Sequence, residues 1–116
     1  ELDLAMRLVR RAGATVRLTL LFKHHPGLVL DDIQSRLKEA NWWFDFPPRG
    51  VRIVSWEVVM GFAQICILEV PAERLAEVNV ELERRAWGVF KVEIHPSYDF
   101  VPVRERIKQR VLAGGQ

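Results

Sequence analysis

Three histidines, one tyrosine and four tryptophans are the side chains best equipped for chemistry in this 116-residue chain. His24 and His25 end an alternating apolar stretch. An imidazole there could act as general base or acid near neutral pH, worth ~10²–10⁴-fold in rate when well placed. Neighbours on an extended segment point to opposite sides, so at most one of the two faces a given cleft; the plainer reading is a pair of solvated loop histidines before the turn-forming Pro26. Tyr98 beside Asp99 offers a phenol that can hold an enolate-like oxyanion. The same pair also reads as a surface turn in which Asp99 caps a bend and Tyr98 covers the core edge. Trp42, Trp43 and Trp56, with His95 beyond the last strand, would form a binding wall for a flat ligand, or equally would plug the end of the fold.

Other chemistries lack their residues. His24 and His25 are adjacent and His95 is remote, which is not metal-ligand spacing, so no metal is expected. The single Cys66 excludes an internal disulfide framework and reads as a small core residue. The glycines are scattered, so no phosphate-cradling loop exists, and no cofactor is expected. Seventeen basic against fifteen acidic residues leave a net charge of +2, too mild to mark a nucleic-acid binder. Glu57, alternating with Trp56, is either a buried base or a solvated edge-strand charge.

The elements that must position these groups follow from periodicity. The 49% hydrophobic content belongs to a globular domain, and no apolar run is long enough to span a membrane. Residues 1–14 (ELDLAMRLVRRAGA) read as a short amphipathic helix or arm. Acids lead them and no apolar core follows, unlike a secretory signal, so a cytoplasmic location is expected. Residues 15–23 alternate as a strand, with Val16, Leu18, Leu20 and Phe22 on one face. A helix over about 30–40 carries Ile33 and Leu37 inward, opened by Asp31 and Asp32. The aromatic stretch NWWFDFPPRG reads as a loop. Strands over 51–60 and 62–70 turn at Gly61, and a helix after Pro71 presents Leu75, Val78, Leu82 and Ala86 inward, with Arg84 and Arg85 outward. A fourth strand covers 89–94, and Val103 to Leu112 forms a basic amphipathic helix. The organisation is thus an arm (1–14), an α+β domain (15–100), and a C-terminal helix and tail (101–116).

The order strand, helix, strand, strand, helix, strand is the ferredoxin-like βαββαβ arrangement: a four-stranded antiparallel sheet with both helices on one face. The first and third strands, the most apolar, should be central. The uncovered face would carry Thr19, Leu21, Ile65 and Ile67, with Val54, Trp56 and Val58. So apolar a face is hidden by pairing with a second copy, unless the chain's own terminal helix folds across it.

Residues 15–95 resemble the dimeric α+β barrel superfamily, its muconolactone isomerase-like members most of all. The RIV strand, the hairpin, FAQICILEVPAERLAEV and the strand WGVFKVEI carry the resemblance. It implies a homodimer through the sheet face and a small-molecule site. A cofactor-free isomerase acting on a small aromatic-catabolism metabolite would use His25 or His24 as base and Tyr98 as oxyanion partner, with Trp42, Trp43, Trp56 and His95 binding the ligand. A non-catalytic binding or interaction module, or a cofactor-independent monooxygenase, are the alternatives the same superfamily hosts. The loop NWWFDFPPRG, the C-terminal helix and the position of His95-Pro96-Ser97 depart from the isomerase pattern. An RNA-recognition sheet is excluded by the aliphatic LTLLF and ICILE, where base stacking needs rings. No nucleic acid and no membrane are expected as partners.

Overall fold

A computed structural model describes residues 15–114; the arm expected over 1–14 lies outside them. The sheet contains β1 (Thr15–His24), β2 (Arg52–Val59), β3 (Ala63–Pro71) and β4 (Phe90–Ser97) in the order β2-β3-β1-β4. Every pairing is antiparallel, and the two most apolar strands, β1 and β3, are interior as expected. The helices are α1 (Leu30–Glu39), α2 (Trp42–Asp45), α3 (Leu75–Arg85) and α4 (Phe100–Leu112). This α+β architecture is compatible with the ferredoxin-like arrangement.

Alternation explains the core. Leu18, Leu20 and Phe22 of β1 and Cys66, Leu68 and Val70 of β3 are buried on one face, where Ile33 and Leu37 of α1 and Val78 and Leu82 of α3 meet them. The opposite, open face follows from the register as three rows. Glu57, Ile65, Leu21 and Glu93 lie side by side; Ser55, Ile67, Thr19 and His95 form the next row; Arg52, Glu69, Arg17 and Ser97 the third. Arg17 and Arg52 both bond Glu69, at 3.1 and 2.6 Å, and Thr19 Oγ1 donates to Ser97 Oγ at 2.8 Å, which ties the strands together on that face.

Several expectations change. Trp56 lies opposite Cys66 and Val58 opposite Gln64, so both belong to the helix-covered side and not to the open face. The cause is a bulge: the β2–β3 register slips between Ile53 and Ser55, and the extra residue Val54 inverts the alternation. The aromatic stretch is not all loop, since Trp42–Asp45 makes one helical turn. His95-Pro96-Ser97 sits inside β4, which runs to Ser97, and the terminal helix starts at Phe100 where Asp99 Oδ1 accepts from Val101 N at 3.0 Å as an N-cap. Leu75 is exposed, not inward. Arg85 is not a solvated charge: it donates to Ala40 O and pairs with Asp45 at 3.1 Å, pinning α3 to the end of α1 and to α2. Finally, α4 carries no buried residue and does not roof the sheet.

Candidate functional site

The helix-covered side of the sheet is filled by rings. Trp42, at 1% exposure, stacks on Phe46 with centroids 4.3 Å apart and 5° between planes. It meets Phe22 edge-on at 5.6 Å and Trp56 edge-on at 6.1 Å, while Phe22 lies 5.4 Å from Phe90. The indole Nε1 of Trp56 donates to Gln64 Oε1 at 2.9 Å, so its polar edge is satisfied inside the cluster. The one-turn α2 exists to deliver Trp42 inward: Phe46 N donates to Trp42 O, closing the turn, while Trp43 is left 60% exposed. Trp42 is thus a ring of the core, and Trp56, half-buried, packs against it.

The open polar space lies at the end of the sheet where β1 finishes. His24 and His25 point to different hollows, as their adjacency requires. His24, on the helix side, stacks near Phe90 at 6.2 Å and lines a hollow of about 310 Å³ with Phe22, Lys23, Val58, Phe62 and Gln64. Lys23 Nζ stands 5.3 Å from the Phe62 ring, a cation–π contact that sequence reasoning missed because the turn at Gly61 brings Phe62 back over β1. His25 lines a second hollow of about 290 Å³ with Trp87, Phe90, Lys91 and Val92. Its backbone N donates to Val89 O at 3.3 Å, anchoring the β1 end to the turn before β4. Trp87 and Lys91 were not singled out by periodicity, since each reads there as a helix end or a solvated strand charge.

His95 faces the open side, where its Nε2 lies 3.3 Å from Glu93 Oε1, and Lys23 Nζ lies 3.0 Å from the same carboxylate's other oxygen. The Lys23 bond first and the His95 bond second hold the Glu93 carboxyl below its ordinary range. Tyr98 is 74% exposed just past β4. Within one chain it is far from both β1-end histidines. His24 pairs with Phe90 and Arg17 with Ser97, and seven strand residues at ~3.3 Å each separate these ends by roughly 23 Å. One chain thus brings His24, His25, Trp87 and Lys91 to one end and Tyr98 to the other. Among the described residues no group of three or more His, Cys, Asp and Glu side chains is placed to hold a metal, and no helix is long and apolar enough to cross a membrane. No family model matches the chain, and no curated protein or solved structure matches it, so what these residues do must be read from their own geometry.

Proposed function

We propose that the protein is a homodimeric, small-molecule-binding member of the dimeric α+β barrel type, pairing two copies through their open sheet faces. The observation that carries this reading is the uncovered sheet. Leu21, Ile65 and Ile67 form its centre, and among the described residues the longest helix, α4, buries none of its side chains. Charged groups rim this centre: Arg17, Arg52 and Glu69 on one side, Lys23, Glu93 and His95 on the other. An apolar centre within a polar rim is the anatomy of a protein interface. The ligand reading rests on the two hollows at the β1 end, where rings and cationic side chains stand together. A small apolar or aromatic carboxylate fits that chemistry.

Binding without turnover suits a single chain best, because the phenol stands far from the histidines. Proton transfer of the muconolactone isomerase kind is the second reading, and it is reached only if a second copy supplies the phenol. Sedimentation at tens of micromolar tests the assembly. The wild type should run as a dimer, and Ile65→Lys with Ile67→Lys as a folded monomer; a wild-type monomer at that concentration overturns the reading. Tryptophan fluorescence titrated with lactones and phenolic acids tests binding, and a flat response across that panel removes the ligand.

A further inference from the structure

Two uncovered apolar groups lie at opposite ends of β4. At its start, the hollow between His25 and Trp87 leaves the Trp87 ring 73% exposed. Beyond its end come Tyr98 and the first turn of α4, with Phe100 53% exposed. The α4 seam continues through Val103, Ile107 and Val111, flanked by Arg104 and Lys108 on one side and by Arg106 and Arg110 on the other. These groups cannot cover one another within a chain. A two-fold axis that crosses the strands exchanges the ends between copies and brings each against the other's.

We propose that two copies pair about such an axis, so that Tyr98 and the first turn of α4 of one copy close the His25–Trp87 hollow of the other and complete a site for a flat organic carboxylate. This rests on the dimer reading above and specifies its geometry and its site. The rows of the open face favour this axis. Set between the Leu21 and Thr19 rows, it lays Ile65 over Ile67 of the second copy and Glu93 over its His95, an acid over an imidazole. Arg17 then lies over Lys23 of the second copy, each beside its own carboxylate, Glu69 and Glu93. An axis running along the strands instead lays β2 over β4 and sets Glu57, which has no ion-pair partner among the described residues, against Glu93 of the second copy at both symmetry-related positions, a like-charge contact with no cation beside Glu57 to offset it. The crossing axis also places Ser97 near Lys91 of the second copy, so the adjoining Tyr98 arrives at the hollow that Lys91 lines. The completed hollow offers an ammonium and an imidazole for a carboxylate, an indole face for a ring, and a phenol to bond the remaining oxygen.

Cysteine pairs decide the axis; the native Cys66 is buried. Lys91→Cys with Ser97→Cys should give a covalent dimer with a short bismaleimide. Val59→Cys with Lys91→Cys should not, and the reverse pattern overturns the crossing axis. Complementation decides the site, with 4-hydroxybenzoate as probe and tryptophan fluorescence as readout. His25→Ala and Tyr98→Ala should each weaken binding at least ~10-fold, with the far-UV circular dichroism of each unchanged. Co-refolding the two variants one to one should then restore wild-type affinity at about a quarter of the sites, because half the dimers are mixed and each mixed dimer holds one intact site. A Lys91–Ser97 crosslink without such restoration, or a wild type that ignores the probe, overturns the shared site. A dimer that fails to crosslink overturns the axis, and a monomer overturns the dimer reading itself.

Discussion

At the scale of single residues, the rings under the sheet dominate. Trp42 touches Phe22, Phe46, Trp56 and Phe90, so Trp42→Ala leaves a void that rigid neighbours cannot fill and should cost ~3–5 kcal/mol in urea unfolding. Trp43→Ala, one residue on and exposed, should change the same curve little. Cys66 is fully enclosed, and burial pushes its thiol up to about 12. Its thiolate is therefore scarce at pH 8, and iodoacetamide should label it only after denaturation. Glu69 is held below the ordinary carboxyl range by its Arg52 bond first and its Arg17 bond second. A lowered folded-state value means the stabilisation is present above the ordinary carboxyl value and is lost as pH falls through the lowered one. Glu69→Gln should therefore lower stability at neutral pH and flatten that part of the acid unfolding curve.

Among the elements, α4 depends most on local signals, because packing gives it little. Its Asp99 cap satisfies the Val101 amide, and Asp99→Ala should cost about 1 kcal/mol of helix stability, seen as faster amide exchange over the first turn with the sheet unaffected. The opposite case is Arg85, which reaches Ala40 O and Asp45 across two other helices; Arg85→Ala should lower global stability by roughly 1–3 kcal/mol through lost charge-assisted bonds. These two residues also show where the sequence is readable. Elements governed by period, such as β1 with Leu18, Leu20 and Phe22 inward or α3 with Val78 and Leu82 inward, are legible because one repeating rule fixes most side chains, the exposed Leu75 at the start of α3 being the exception. Trp56 falls on the face opposite to the one its period predicts because a single extra residue, Val54, reverses the faces of all that follows in β2, and no period announces a bulge. Arg85 reads as solvated because, apart from Glu81 one turn earlier, the partners that bury it, Ala40 and Asp45, are 40 or more positions away. The site was legible only as residue types: the two histidines diverge as adjacency dictates, but that Trp87 and Lys91 flank His25 depends on how the turn before β4 returns to β1.

At the scale of the whole molecule, association should set apparent stability. If the folded dimer is the stable species, Tm should rise with protein concentration and lose that dependence in the Ile65→Lys, Ile67→Lys variant, as differential scanning calorimetry would read directly. The sheet's two outer strands bear on what kind of association is possible. β2 is interrupted by the Val54 bulge, and β4 carries Pro96 near its end and Lys91 near its start. An irregular ladder on one flank and a missing amide with a solvated ammonium on the other make both poor templates for a further strand. Growth sideways, which has no natural end and leads to fibrils, is discouraged, whereas stacking face against face is complete at two. Concentrated protein should therefore stay free of ribbon-like polymers under electron microscopy, and straightening β2 by deleting Val54 should be the change that makes it fibrillise.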